Sequence, residues 1–415
     1  SGAGVFPESQ NRCWLTSQLA EADGPAYAAD MSSASPALRL SLFYGAFFWL
    51  IGTNLPYWPV WLESRRLGAA EIGLVAAAAF WTRIFIAPTI ALWADRTGRR
   101  RTPLIILSIT VTCGYGLLSV TDGYFQILLL YGFIGSLMNA AMPLTDSLTI
   151  LAQRQTALDY GRVRLWGSIT FILASFAGGS ILASAGPDGI LYSIMAGGVL
   201  LCIIGFLLPS IRTTPATRSF AAIGELIRRP AFLAFVAASA TLQSTHAVLY
   251  GFATLHWRKA GIDDQIIGLL WAEGVIAEVL LFAVAGKYLT RLSPSTMLLI
   301  AGSAGVIRWT TIGTTTDLGA LAAVQLLHAF TFGATHLGMI RFMSAAIPDR
   351  MSATAQSLYD SLAMGVVFGS LMMVSGLMYD HFQGQAFIAM AVASGFGIVL
   401  TLVFRKLWSG GRVLD

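Results

Sequence analysis

Two glutamates lie inside a stretch of apolar residues that is long enough to cross a lipid bilayer. Residues 266–285 read IIGLLWAEGVIAEVLLFAVA, and Glu273 and Glu278 carry the charges of this run. A carboxylate at the centre of a membrane helix costs about 2.5–3.5 kcal/mol even on mild insertion scales, so such a residue normally marks a pathway or a binding site. Two of them predict a polar interior within a membrane protein.

Other ionisable residues lie inside or at the edge of the remaining apolar segments, namely Arg83, Asp146, Arg164, Arg308, His328 and Asp360. Thr331 and Thr335 follow His328 at i+3 and i+7, which places all three on one helical face. His328 would then face a channel lined by the two hydroxyl groups. Histidine changes charge near neutral pH, and a carboxyl group in a partly dry site holds its proton more tightly. We therefore predict that Glu278, His328 and Arg308 pass and hold a proton. A histidine that only packs is the structural alternative.

A carboxylate and a guanidinium flank a short polar loop. Asp146 and Arg164 are 18 residues apart (164 − 146 = 18), so two antiparallel helices joined by that loop would bring them to a similar depth. At that depth the two groups can form a bidentate pair. The pair either belongs to a substrate site or only holds two helices together, because buried charge pairs are often structural.

The composition identifies a polytopic membrane protein. Of the 415 residues, 56% are hydrophobic and 11% are charged, whereas about a quarter are charged in ordinary soluble domains. The mean hydropathy is +0.69. The formal net charge of +5 does not indicate a nucleic-acid partner, because the basic residues fall in short loops between apolar segments.

Several classes of chemistry lack a sequence signal. Cys13, Cys113 and Cys202 are far apart and predict neither a disulfide framework nor a metal site. The chain has no phosphate-binding loop motif, so ATP-driven transport has no support. No arrangement of nucleophile and base predicts an enzyme, and we expect neither a cofactor nor a metal.

Twelve segments can each form a membrane helix of about 20 residues. The predicted spans are 40–62, 71–94, 103–121, 123–152, 161–185, 189–209, 231–257, 265–288, 295–314, 317–346, 351–379 and 384–406. Most basic residues fall in the loops after even-numbered spans, with Arg65 and Arg66 as exceptions. The positive-inside rule therefore predicts that both termini are cytoplasmic. We expect a multi-pass protein of the bacterial cytoplasmic (inner) membrane.

The regions between the spans divide the chain. Residues 1–39 are polar, lack the pattern of a signal peptide and are predicted to be a disordered cytoplasmic N-terminus. Met31 resembles a natural start, so we expect residues 1–30 to be an upstream extension. Residues 210–230 are predicted to be a cytoplasmic linker between two six-helix bundles. The bundles comprise residues 40–209 and 231–406, and a cytoplasmic tail follows at 407–415.

An internal repeat supports this division. Aligning Gly73 with Gly268 gives an offset of 195 residues (268 − 73 = 195), which carries Arg83 onto Glu278. Two weakly similar halves with a site at their interface near the bilayer midplane are expected of a secondary transporter. We therefore expect Arg83 and Glu278 to face one another across one cavity.

Several motifs resemble those of a known transporter family. The loop ADRTGRR at 94–100 resembles the signature loop of the major facilitator superfamily, although Ala91 stands where Gly is usual, and GKYLTR at 286–291 resembles its degenerate second copy. Four segments resemble the phenylpropionate permease group, which is similar to the lactose permease and to nucleoside:proton symporters. They are PYWP at 56–59, DYGRVRLWGS at 159–168, Arg308-Trp309 and QLLHAFTF at 325–332. The resemblance implies an all-α membrane protein of the major facilitator fold, with twelve transmembrane helices in two pseudo-symmetric six-helix bundles.

The resemblance also implies roles for particular residues. In the lactose-permease-like pattern an acid and an arginine with the spacing of Asp146 and Arg164 bind substrate, and an aromatic ring at the place of Phe171 stacks on it. Lactose permease carries an acidic residue where this chain has Thr331, which puts more weight on Glu278 or Glu273 as the proton carrier. The signature loop implies a conformational latch formed by Asp95, Arg96, Gly98 and Arg99.

Together these observations predict a proton-coupled symporter that imports a small organic solute, and the resemblance points to an aromatic carboxylate. The predicted substrate-binding residues are Asp146, Arg164, Phe171, Arg83, Asn54, Tyr57 and Trp166. Tryptophan and tyrosine also populate membrane interfaces, which is the alternative for each aromatic residue. The alternative functions are a sugar or nucleoside:proton symporter and a membrane sensor that binds a solute without moving it. The expected partners are the substrate, protons and the lipid bilayer, without nucleic acid, and the protein is expected to be a monomer.

Overall fold

The computed structural model describes residues 35–156, 158–212, 221–288 and 292–413. Nearly all of these residues are helical, and an isolated bridge between Arg99 and Arg212 is the β pairing found among them. A lipid bilayer offers the backbone no hydrogen-bond partner, so helices, which bond internally, are the structure expected of the apolar segments.

The first part of the chain forms five long helices. They are α1 Pro36–Ser64, α2 Ala69–Thr97, α3 Arg101–Leu118, α4 Tyr124–Gln155 and α5 Tyr160–Gly205. Helix α5 is bent at Gly186, whose φ of 68° and ψ of −169° are not helical, directly before Pro187. The helical parts on either side of this bend contain 46 residues together, or about 69 Å of helix, more than twice the ~30 Å of a bilayer core. Helix α5 is therefore long enough to contain the fifth and sixth predicted spans.

The second part of the chain is more interrupted. Its helices are α6 Ala221–Leu226, α7 Pro230–Ser244, α8 Ala247–Lys259, α9 Asp264–Tyr288, α10 Pro294–Thr314, α11 Leu318–Gln325, α12 Thr335–Ala346, α13 Asp349–Asp360, α14 Gly369–Phe382 and α15 Ala386–Leu407. Two π-helical segments, Ala329–Ala334 and Ser361–Phe368, lie within the tenth and eleventh predicted spans. Such segments occur frequently at functional sites.

Within the described residues, eight segments are long and apolar enough to cross a membrane. Two of them, Tyr160–Gly205 and Thr354–Leu407, have 46 and 54 residues and are long enough for two crossings each. Helices α1 and α10, with 29 and 21 residues, are also long enough to cross. The described helices are therefore consistent with twelve spans in an all-α membrane protein.

Glycines allow helices from the two parts of the chain to touch. A Cβ atom on Gly73 in α2 would lie 2.7 Å from the Gly376 Cα in α14, and one on Gly268 in α9 would lie 2.7 Å from the Ser175 carbonyl oxygen in α5. Only glycine leaves room for backbones to approach this closely. These contacts hold the two parts of the chain around a common interior.

The ends of the predicted regions differ from the structure in two places. Helix α1 begins at Pro36, so residues 36–39 are helical and not disordered as predicted, while residues 1–34 lie outside the described residues. The predicted linker 210–230 contains α6, and residues 213–220 likewise lie outside the described part of the chain.

Candidate functional site

A cavity of about 180 Å³ lies between helices from both parts of the chain. It is lined by Phe48, Leu55, Arg164, Ser168, Phe171, Leu249, Tyr250, Trp271, Gly274, Val275, Glu278, Arg308, Gln325, His328 and Phe332. Two guanidinium groups, one carboxylate and one imidazole thus share a small space with five aromatic rings. The cavity combines charge with flat apolar surfaces.

Arg308, on α10, is the centre of a buried polar network. Its Nη1 donates to Thr331 Oγ1 at 2.9 Å, and its Nη2 donates to Gln325 Oε1 at 2.8 Å. Gln325 is held in turn by its own donation to the Leu270 carbonyl oxygen at 2.8 Å. Arg308 is only 1% exposed, and a charge at that depth is tolerated only when it is hydrogen-bonded.

His328 links this network to Glu278. The Nη1 atom of Arg308 lies 3.1 Å from His328 Nδ1, and because an arginine can only donate, Nδ1 is the acceptor. The proton of the neutral imidazole is then on Nε2, which lies 3.4 Å from Glu278 Oε2. The structure therefore brings Arg308, His328 and Glu278 into a continuous chain of contacts.

Two local features set the position of His328. The residue directly precedes the π-helical segment Ala329–Ala334, which shifts the register of the helix that follows. On α9, Gly274 faces the imidazole, and a Cβ atom there would lie 3.3 Å from the His328 Cβ. This glycine lets α9, which carries Glu278, approach closely enough for the carboxylate to reach the ring.

The predicted hydroxyl stripe does not form a channel. Thr331 Oγ1 is bonded to Arg308 and lies 3.1 Å from His246 Nε2. Thr335 Oγ1 donates to the Thr331 carbonyl oxygen at 2.8 Å. Neither threonine lines the cavity, because their hydroxyl groups are occupied by the arginine and by the helix backbone.

Arg164, on α5, lines the cavity from the first part of the chain. Its guanidinium carbon lies 4.2 Å from the ring centroid of Phe48 and 5.6 Å from that of Tyr44, which is cation–π geometry. Gly167 makes this arrangement possible, since a Cβ atom there would lie 2.7 Å from Phe48 Cδ2. Among the described residues no carboxylate forms an ion pair with Arg164.

Asp146 does not form the predicted pair with Arg164. Its Oδ1 atom accepts hydrogen bonds from Tyr44 Oη at 2.6 Å and from Tyr160 Oη at 3.0 Å. Two phenol donors thus satisfy the carboxylate, and the nearby arginine stacks on a ring instead. Asp146 does not line the cavity, whereas Arg164 and the predicted stacking residue Phe171 do.

Three other predicted substrate residues lie outside this cavity. Asn54 lines a neighbouring cavity of about 120 Å³ and is hydrogen-bonded to the hydroxyl groups of two buried tyrosines. Tyr57 is fully buried and donates to the Ser175 carbonyl oxygen at 2.6 Å. Trp166 is 54% exposed. The cavity that Asn54 lines is adjacent to the larger one, because Leu55 and Tyr250 line both.

Arg83 and Glu273 are also not part of the cavity lining. Arg83 forms an ion pair with Asp360, the last residue of α13. The predicted opposition of Arg83 to Glu278 is therefore not found, because Asp360 supplies the nearer carboxylate. Of the two glutamates on α9, only Glu278 faces the cavity.

The loop after α2, which contains the predicted latch, forms a compact turn. Gly98 ends the helix with a φ of 62°, a left-handed conformation that suits glycine. The Asp95 carboxylate lies 3.3 Å from Arg100 Nη2, and the Nε of the same arginine donates at 2.8 Å to a serine hydroxyl of α4. The side chains of Arg96 and Arg99 are exposed. The loop thus ties α2 to α4.

Ten of the fifteen residues that line the cavity were not among the predicted site residues, and three of them, Gln325, Tyr250 and Trp271, offer polar groups or large rings. Gln325 has a usable signal, since it is an amide within an otherwise apolar segment. Tyr250 and Trp271 have none, because aromatic residues are common throughout the chain and only the packing of helices selects those that face the interior.

Comparisons with known proteins fit this architecture. Residues 37–389 match the model of the MFS_1 like family. The chain is 33% identical over 362 residues to the "Probable 3-phenylpropionic acid transporter" of Escherichia coli, with 86% of this chain and 94% of that protein covered. It is 23% identical to the maltose permease of Geobacillus stearothermophilus, with 88% and 93% covered. A crystal structure of the nucleoside transporter NupG superposes with a TM-score of 0.75 at 16% identity, covering 91% of this chain and all of that one.

Proposed function

Because this chain belongs to the MFS_1 like family and is a multi-pass secondary transporter of the major facilitator superfamily, we propose that it imports an aromatic carboxylate together with a proton. A 3-phenylpropionate-like anion is the proposed substrate. The main support is Arg164, a guanidinium in the cavity wall that forms no ion pair with a carboxylate of the described residues. A relative named for 3-phenylpropionic acid supports the same substrate class.

The charges of the cavity favour an anion. Arg164 and Arg308 contribute two positive charges to the lining, and Glu278 contributes one negative charge only while it is ionised. An incoming carboxylate gains a charge-assisted, bidentate contact with the guanidinium of Arg164, since the planar fork of arginine matches a carboxylate. Arg308 already donates to three protein groups, so Arg164 is the proposed anchor.

The apolar lining favours a flat ring. Phe48, Phe171, Tyr250, Trp271 and Phe332 supply aromatic surface around the two charges, and aromatic pairs gain energy from stacked or edge-to-face contacts. At about 180 Å³ the cavity is smaller than the roughly 300–1,000 Å³ typical of drug-sized ligands. A compact aryl acid suits this space better than a sugar or nucleoside, which remain the alternative substrates.

Glu278 is the proposed proton carrier. It is the acidic residue of the lining, and it lies between the Nε2–H of His328 and the cavity where the substrate anion would bind. Protonation removes its repulsion of the anion, so proton and substrate bind together. This linkage gives symport a physical basis, with His328 orienting the carboxyl group and Arg308 fixing the tautomer of His328.

The proposal also covers the arrangement of the helices and the movement between them. We place residues 40–209 and 231–406 in two six-helix bundles that rock about the cavity, with both termini in the cytoplasm of a bacterium and the transporter acting as a monomer in its inner membrane. Asp95, Arg96, Gly98 and Arg99 are the proposed conformational latch between the two halves. Within the first half the turn ties α2 to α4, so the latch would act on these two helices as one body.

Uptake into proteoliposomes tests the function. With the outside acidified, vesicles should accumulate 3-phenylpropionate above its equilibrium level in a protonophore-sensitive manner, and protein-free vesicles correct for diffusion of the neutral acid. The matched control 3-phenylpropanol keeps the ring and chain but lacks the charge, and it should not accumulate. Accumulation of maltose or uridine instead would show that the substrate is a sugar or a nucleoside and not an aromatic carboxylate. Saturable binding of 3-phenylpropionate without any uptake would identify a sensor and overturn the proposal.

A further inference from the structure

A second charged cavity, which shares no lining residue with the substrate site, lies where α3 begins and the segment after α5 ends. Its volume is about 210 Å³. It is lined by Arg99, Arg100, Arg101, Thr102, Ile105, Ser210, Ile211 and Arg212. Four of these eight residues are arginines, two more carry hydroxyl groups, and none is acidic. The lining has the donor composition of a site for a phosphate group.

The protein itself leaves much of this charge unsatisfied. Arg100 is paired with Asp95, but among the described residues no carboxylate pairs with Arg99, Arg101 or Arg212. The Nε atom of Arg101 is buried without any hydrogen-bond partner, while its Nη2 caps the Phe206 carbonyl oxygen. An anion in the cavity would supply the counter-charge that Arg99, Arg101 and Arg212 lack.

Apolar side chains are exposed on the turns next to the cavity. On α3 these are Ile106, 46% exposed, and Ile109, 40% exposed, and at the end of α5 Ile203 and Phe206 are 57% and 56% exposed. The two helices pack together here, since Gly205 lies against Ile105. A cationic cavity therefore borders a surface that suits hydrocarbon, as expected where a membrane helix reaches the headgroup layer.

We propose that this cavity binds the phosphate headgroup of an anionic phospholipid, with its acyl chains lying along the exposed residues of α3 and α5. A free phosphate ion would satisfy the arginines equally well but would not use the apolar border. The basic loops place the cavity at the cytoplasmic leaflet under the positive-inside rule, and basic pockets on that side bind acidic headgroups. The amino-terminal end of α3, which opens into the cavity, adds a further attraction for an anion.

The first experiment uses the purified full-length protein in detergent. Native mass spectrometry with added phosphatidylglycerol should give a saturable lipid adduct, and thermal unfolding should shift upward with the same dependence on lipid concentration. Phosphatidylcholine at the same concentration should give neither. Equal adducts with both lipids would overturn the proposal, as would full thermal protection by inorganic phosphate alone.

Matched variants locate the site. Arg212→Gln should weaken the affinity for phosphatidylglycerol about fivefold, and Arg101→Gln with Arg212→Gln about 25-fold, since each basic residue near an anionic lipid contributes a factor of about five. Arg405→Gln removes an exposed arginine in the last turn of α15 and should leave the affinity unchanged. Because the Arg212 side chain makes no ion pair in the described structure, its loss should leave the lipid-free melting temperature intact. Equal weakening by Arg405→Gln, or none by Arg212→Gln, would contradict the site.

Discussion

The two charged centres of the substrate cavity are built in opposite ways. The terminal nitrogens of Arg308 are bonded within the protein, to Gln325, Thr331 and His328, and only its buried Nε has no partner. Arg164 stacks on Phe48 and forms no ion pair with a carboxylate of the described residues. Protein groups hold the guanidinium of Arg308, whereas the guanidinium of Arg164 is left for a ligand.

This difference assigns separate tasks to the two parts of the chain. A network in which the arginine holds three side chains keeps one geometry and places a titratable pair, His328 and Glu278, in contact. The guanidinium of Arg164, which has no ion-pair partner in a partly dry cavity, gains the most favourable free energy when a ligand supplies an anion. We therefore place the substrate charge at Arg164 and the proton at Glu278.

Arg308→Gln should have the largest effect, and it should act on folding. The change leaves buried groups of Thr331, His328 and Gln325 without their donor, at a cost of about 1–3 kcal/mol each. Thermal unfolding in detergent should show a large loss of melting temperature or failure to express. Arg162→Gln, at an exposed position, is the control. A normal melting temperature for Arg308→Gln would mean that the network is not structural and that Arg308 and Arg164 do not differ in this way.

Arg164→Gln should fold normally and lose the ligand. Hydrogen bonds to a charged group contribute about 1.5–3 kcal/mol, so the Kd for 3-phenylpropionate should rise about 10- to 100-fold. Arg164→Lys keeps the charge without the planar fork and should lie between the two. Titration calorimetry measures the affinities. If the Kd is unchanged while the protein is stable, the ligand charge is not bound at this arginine.

His328→Gln should weaken coupling while leaving binding largely intact. The glutamine oxygen can still accept from Arg308 and its amide can still donate toward Glu278, but the side chain no longer titrates. The accumulation ratio of the substrate under an imposed pH gradient should fall severalfold, and exchange of labelled for unlabelled substrate should persist. Complete loss of exchange would move His328 from the proton pathway to the substrate site.

Tyr44→Phe should have the smallest effect. It removes one of the two phenol donors to Asp146 but leaves Tyr160 in place, so the expected cost is about 1 kcal/mol of stability. The affinity for 3-phenylpropionate should change little, because Asp146 does not line the cavity. A loss of affinity as large as that of Arg164→Gln would show that Asp146 controls the arginine and that the two form one substrate site.

The sequence was sufficient to predict that three ionisable residues of the second part of the chain share one interior. Glu278, Arg308 and His328 are ionisable groups in apolar segments, a pattern so costly in a membrane that it implies a shared interior, and the structure brings all three together. The family-like motifs likewise predicted the superfamily, since their residues occur in fixed sequence order.

The partners of each charge could not be predicted. Spacing suggested that Asp146 would pair with Arg164, but tyrosines from α1 and α5 satisfy the carboxylate. The repeat placed Arg83 opposite Glu278, yet Asp360, 277 residues away in the chain, is its partner. Such choices depend on which helices pack together and on the π-helical segments, whose shifted register leaves no clear mark in the sequence.

Glu278→Gln separates proton transfer at Glu278 from anion binding at Arg164. Substrate exchange and uptake driven by an acidified exterior are measured in the same proteoliposomes, with Glu273→Gln as the matched control on α9 outside the cavity lining. We expect Glu278→Gln to retain exchange, because the amide mimics the protonated acid, but to lose accumulation, whereas Glu273→Gln should keep both. Continued uphill accumulation by Glu278→Gln would show that Glu278 does not carry the proton.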